Sequence, residues 1–150
     1  MAATTNITRA RWPRDLKVFA ILAALWAVLL TAQMVMRDVT YYPSASLEAI
    51  LLGVKFESYS ARMVLMAQAM VGFTIALAVA AERRWGLRLA LIFMIEVVAS
   101  NLIFMLRYMN DLSQGSRVRI SGLTGIIAVL ILLYLWIRVR EILIGDPPSI

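Results

Sequence analysis

The sequence predicts an all-α fold: a four-helix transmembrane bundle with a short amphipathic surface helix in its first outer loop. Three observations carry that expectation. Of the 150 residues, 62% are hydrophobic, well above the roughly 45–50% of an ordinary soluble domain, and the mean hydropathy is +0.82. Four stretches, Val18–Met36, Met63–Ala81, Leu89–Leu106 and Ile120–Ile137, are almost free of charge. Each holds 18 or 19 residues, which as helix spans roughly 27–28 Å, close to the ~30 Å hydrocarbon core of a bilayer. Finally, the charged residues gather at the ends of these stretches, where topology signals belong.

Residues 1–17 read as a basic tail, with Arg9, Arg11, Arg14 and Lys17 leading into the first span. A secretory signal has the same outline, but its apolar region runs only about 7–15 residues and ends at a small-residue cleavage site. The first span is longer and no A-x-A pattern follows it, so it is read as an uncleaved helix. Asn6-Ile7-Thr8 matches the glycosylation pattern, a frequent chance match that carries nothing on a cytoplasmic tail.

The first outer loop, residues 38–60, is long enough to hold structure. Leu47, Ile50, Leu51 and Val54 fall at i, i+3, i+4 and i+7, with Ser46 as N-cap and Glu48 near the helix start, so a surface helix is expected over about 46–56. It would serve as a cover on the bundle or as a gate over a cavity. The hinge Glu82-Arg83-Arg84-Trp85-Gly86 then joins spans two and three as an antiparallel pair, and Gly145-Asp146-Pro147-Pro148 ends the last helix. Residues 18–144 form one domain and 145–150 a short tail.

Orientation follows from basic residues. With the N-terminus inside, the inner side carries Arg9, Arg11, Arg14, Lys17, Arg83, Arg84, Arg88, Arg138 and Arg140; the outer side carries Arg37, Lys55, Arg62, Arg107, Arg117 and Arg119. Nine against six places both termini in the cytoplasm. The expected location is a bacterial cytoplasmic (inner) membrane.

Composition also excludes chemistry. The net charge is +6, but its arginines mark span ends and form no stripe, so the basic partner is anionic lipid and not nucleic acid. The chain has no His and no Cys. That removes imidazole-based haem, zinc and Ser-His-Asp chemistry, together with thiol redox and disulfides. No cofactor and no enzymatic activity are expected.

Inside the spans a few polar side chains stand out. Glu96 lies eight residues beyond Arg88, about 12 Å in and close to the midplane, where a carboxylate is costly and should turn from lipid. Ser100 at i+4 shares its face, and Asn101 is turned about 140° from it. Gln68 on the second span, with Thr31 and Gln33 on the first, falls near the depth of Asn101. Thr124 lies nearer the outer surface. One polar layer with Glu96 just beneath it is the expected picture, serving as interhelical hydrogen bonding or as the lining of a transport path.

Small residues mark close helix approaches. Gly72, Ala76 and Ala80 follow Gln68 at steps of four, and Ser121 with Gly125 offers a second site. Such ridges fit internal packing and oligomerisation equally. Met63, Met66 and Met70 share one face of the second span and are weak Cu(I) candidates, since thioethers are soft ligands.

The function expected first is non-enzymatic: an accessory, assembly or stabilising subunit that meets other integral-membrane subunits or self-associates within the bilayer. The alternative is a small proton- or ion-linked transporter or channel-like oligomer that uses Glu96. Against it stand the unbroken spans and the lack of a second charge inside them.

Overall fold

The computed structural model describes residues 12–39, 48–110 and 115–144. The Asn6-Ile7-Thr8 pattern, Arg9, Arg11, the Ser46 cap and the 145–150 tail lie outside the described residues. The elements run α1 (Arg14–Val39), β1 (Glu48–Leu51), β2 (Val54–Glu57), α2 (Ser58–Ala80), α3 (Arg84–Tyr108) and α4 (Gly115–Val139), with a π-helical turn over Arg140–Ile144. All four α-helices are long and apolar enough to cross a membrane. They match the four expected spans and begin four or five residues before them.

Why helices form here is a matter of solvent and not of amphipathicity. Val18, Ile21, Leu22, Leu25 and Leu29 of α1 are exposed, as are Leu123, Ile126, Ile127 and Leu130 of α4. A helix apolar on all sides suits hydrocarbon, where intrahelical bonding satisfies every backbone group. α1 packs on α2, α2 on α3 and α3 on α4.

The two ends of the bundle are built differently. At the end holding the α2–α3 turn, here the turn end, Leu16, Ala20, Ile75, Val79, Leu87, Ala90 and Leu135 from all four helices form one buried cluster. The turn is closed by two reversed bonds: the Glu82 amide donates to the Val79 carbonyl at 3.0 Å and the Arg83 amide to Ala78 at 2.9 Å. This is a Schellman ending, with Glu82 at φ 57° where glycine is usual. Gly86 is needed for a separate reason. A Cβ there would lie 2.6 Å from the Ala78 Cβ, so glycine lets α3 close onto α2.

At the other end, the surface helix expected over 46–56 is not what forms. Residues 48–57 make an antiparallel β-hairpin, with Glu48 opposite Glu57, Ala49 opposite Phe56, Ile50 opposite Lys55 and Leu51 opposite Val54. Both turn residues, Leu52 at φ 50° and Gly53 at φ 72°, have positive φ, the geometry of a type I′ turn whose twist matches that of paired strands. The strand signal is the alternation Val54-Lys55-Phe56-Glu57, which puts Glu48, Ile50, Lys55 and Glu57 on one face and Ala49, Leu51, Val54 and Phe56 on the other. Glu48 and Glu57 face each other as like charges, a destabilising pairing. Lys55 offsets it by bridging to both.

Candidate functional site: a cavity beside a β-hairpin

The hairpin packs against the helices. Ala49 is buried with Leu30 of α1 and with Ala61, Leu65 and Ala69 of α2, and Phe56 packs beside them. The tip is pressed onto α3. The Gly53 amide donates to Ser100 Oγ at 3.2 Å, and a Cβ at Gly53 would stand 2.5 Å from Ile103 Cβ. Ser100 is eight residues from the end of α3 at Tyr108, so the tip reaches roughly 12 Å down the helix. The backbone of Leu52 lies beside the Glu96 carboxylate, about one turn deeper.

Glu96 itself has both carboxylate oxygens buried, and neither finds a hydrogen-bond partner among the described residues. Its shared face with Ser100 places both beneath the hairpin tip.

Between the hairpin and the helices lies a cavity of about 380 Å³. α1 contributes Leu30 and Gln33, α2 Leu65, α3 Asn101 and Phe104, and α4 Ile120, Ser121 and Thr124. The hairpin turns its charged face inward, with Glu48, Ile50 and Lys55 at the wall. Ser121 Oγ donates to Asn101 Oδ1 at 2.8 Å, and Asn101 Nδ2 donates to the Val97 carbonyl at 2.8 Å. Thr124 donates to Ile120 O at 2.8 Å. Gln33 and Asn101, expected at one depth, line the same cavity, together with Ser121, expected as a packing residue, and Thr124, expected nearer the outer surface. Gln68 is half-buried on α2 but is not part of this lining, and Thr31 spends its hydroxyl proton on Ala27 O.

Of the small residues, all but Ala80 pack inward. Gly72 meets Trp26 and Ala27 of α1, with a Cβ there falling 3.1 Å from each, and Ala76 is buried while Ala80 is exposed. Gly125 lies against Asn101, its Cβ position 3.5 Å from that of Asn101. The methionines behave differently: Met63, Met66 and Met70 are 49%, 47% and 63% exposed on the outer face of α2. Among the described residues no group of three or more His, Cys, Asp or Glu side chains converges as a metal site.

Two features lay outside the sequence reading. Glu48 and Lys55 were not expected in a cavity wall, because a surface helix would have held them in water. The second is a clasp at the turn end. Tyr134 of α4 donates its hydroxyl to Asp15 Oδ2 at 2.9 Å, Arg138 Nε donates to the same oxygen at 2.7 Å, and Arg138 also pairs with Glu141. Phe19 leans on the Tyr134 ring at 6.5 Å. α1 and α4 are joined here, whereas at the hairpin end the cavity stands between them.

No protein-family model, curated protein or solved structure matches this chain. Its function is therefore argued from the cavity, the hairpin and Glu96 alone.

Proposed function

We propose that this chain is an integral membrane protein that works without catalysis, as a small proton- or ion-linked transporter or channel-like oligomer. Its path runs from the hairpin-end cavity, past the hairpin tip, to Glu96. The observation that carries this reading is the hairpin packed among the helices. Non-helical backbone at membrane depth is tolerated only where protein buries it or where it lines a water-filled cavity, and interrupted elements of this kind build the substrate sites of transporters. The hairpin supplies the break that the four unbroken helices lack. It also supplies further ionisable groups, since Glu48 and Lys55 stand in the cavity wall and Glu96 beneath the tip. An acid whose two oxygens meet no side-chain partner among the described residues has bonding capacity left for a proton or a cation.

A flux assay in proteoliposomes tests the reading. The wild-type chain should dissipate an imposed pH gradient or ion gradient. Glu96→Gln, which keeps size and hydrogen bonding but removes the titratable group, should abolish that flux while the protein still inserts and folds. Equal flux from both proteins would reject Glu96 as the carrier.

A second reading, an accessory or stabilising subunit of a larger membrane complex, is favoured by the broad apolar faces of α1, α2 and α4. Native mass after mild-detergent extraction separates the two readings. Stoichiometric recovery with larger membrane subunits supports the accessory role, and recovery alone supports the independent one. For location, a bacterial inner membrane with both ends cytoplasmic remains our proposal, on the basic-residue count.

A further inference from the structure

The hairpin-end cavity has a side mouth. α1 and α4 meet at the turn end through the Asp15–Tyr134 clasp, but here the cavity lies between them, and Gln33 of α1 with Ile120 and Thr124 of α4 both line it and are exposed. All three belong to segments long and apolar enough to span a bilayer, so in a membrane the mouth between α1 and α4 turns toward lipid.

The polar groups left over in the wall are uncharged. Glu48 and Lys55 are bridged to each other at 3.2 Å, and both have further interactions, so their charges are already engaged. The amides are not used up. Gln33 makes no hydrogen bond among the described residues, which leaves two N–H groups and a carbonyl oxygen open. Asn101 gives one N–H to Val97 O and keeps another. Ser121 and Thr124 spend their only protons on Asn101 Oδ1 and Ile120 O and keep lone pairs. Donors and acceptors therefore stand together, set against Leu30, Leu65 and Phe104.

That mixture selects the ligand. An amide unpaired at the edge of hydrocarbon costs free energy until it finds a partner. A charged head would lose its hydration where the counter-charges are already engaged, and a head that only accepts or only donates leaves part of the set unmet. A cavity of about 380 Å³ falls at the lower end of small-molecule sites, about 300–1,000 Å³, which suits a compact head and the start of one chain. We infer that the cavity takes an uncharged single-chain amphiphile from the bilayer, whose head carries both hydroxyl and carbonyl oxygens. Gln33 and Asn101 donate to the carbonyl, Ser121 and Thr124 accept from the hydroxyls, and the chain leaves through the α1–α4 mouth. This goes beyond the path to Glu96, because it concerns what fills the cavity and holds whether or not an ion passes.

Monoolein, a monoacylglycerol, has such a head. A monoolein analogue with a diazirine beside the head, illuminated with the full chain in nanodiscs, should label lining residues of α1 and α4 saturably. Unlabelled monoolein should compete. Oleate and oleylamine, with the same chain under charged heads, should compete roughly tenfold less well, and methyl oleate, whose head only accepts, roughly threefold less or weaker. Glycerol, the head without the chain, should not compete. Gln33→Leu removes the open amide from an exposed position and should weaken labelling roughly three- to tenfold without lowering the melting temperature. Ile120→Trp, also at an exposed position, should close the mouth and abolish labelling. Equal competition by oleate or oleylamine overturns the uncharged class. Equal competition by methyl oleate, or full labelling of Gln33→Leu, overturns the hydrogen-bond assignment. Competition by glycerol, or undiminished labelling of Ile120→Trp, overturns entry from the bilayer, and unsaturable labelling spread along the outer helix faces overturns the site. The Glu96→Gln flux assay is independent: equal flux there sinks the path and leaves this site, and failure here leaves the flux result standing.

Discussion

The turn end and the hairpin end of the same four helices solve opposite problems. At the turn end every helix contributes an aliphatic residue to one cluster, α3 closes onto α2 through Gly86, and α1 is clasped to α4 by Asp15, Tyr134 and Arg138. At the hairpin end α1 and α4 stand either side of a cavity, and a two-stranded wedge fills the space that helix packing would otherwise take. The difference shows where movement is affordable. A tightly packed end clasped by the Asp15–Arg138 pair holds the bundle together, while the other end keeps polar groups in a cavity wall.

Breaking the hairpin seat should have the largest effect. Gly53→Val puts a β-branched side chain at positive φ and drives its Cβ into Ile103. The combined backbone and overpacking cost is about 2–5 kcal/mol, enough to unseat the tip. Faster amide exchange confined to residues 48–57 would show this, and retained protection there would refute the seat. Leu135→Ala at the turn end removes a fully buried side chain from the shared cluster, and should cost roughly 2–5 kcal/mol. Because that cluster draws on all four helices, thermal unfolding of the whole bundle is the readout, in contrast to the local effect at Gly53.

Smaller changes sharpen the comparison. Asp15→Asn removes the charge that Arg138 and Tyr134 share. The pair is partly exposed, so solvent screening limits the loss to about 1 kcal/mol. The lowered melting temperature should come with greater separation of spin labels on α1 and α4 at this end only. Glu82→Gly relieves a non-glycine residue at positive φ, and should stabilise the turn by about 1 kcal/mol, less whatever the distant Lys17–Glu82 pair at 3.9 Å contributes. A fall in melting temperature would mean the ion pair outweighs the strain.

Legibility in the sequence follows the same division. Helices that need only length and apolarity could be read from composition, and Gln33 and Asn101 could be placed at one depth because helical rise is uniform, while Ser121 was legible only as a packing residue and Thr124 was expected nearer the outer surface. The hairpin could not be read this way. Leu47, Ile50, Leu51 and Val54 satisfy a helical period, while the competing two-residue period of Val54-Lys55-Phe56-Glu57 covers only four positions. Its turn, Leu52-Gly53, lacks the Asn-Gly or Asp-Gly pair that announces a type I′ hairpin. What selects the strand form is tertiary: Gly53 fits under Ile103, and Ala49 and Phe56 meet α1 and α2. Glu48 and Lys55 were missed as cavity residues for that reason. The ridge residues Gly72 and Gly125 were legible as close-approach sites, but only the fold shows that they face α1 and α3.

The central claim is that the hairpin tip sits deep among the helices beside Glu96, and tip depth can be measured directly. The chain has no cysteine, so single labels can be placed without background. Leu52, 59% exposed at the tip, can be compared with Ile95 beside Glu96 and Met109 just past the end of α3, both exposed. With spin labels at Leu52→Cys, Ile95→Cys and Met109→Cys in bilayers, oxygen and nickel relaxation give the depth of each. A label at 52 as deep as that at 95 is the predicted result. A label at 52 as shallow as that at 109 would return the hairpin to the surface and remove the support for a path to Glu96.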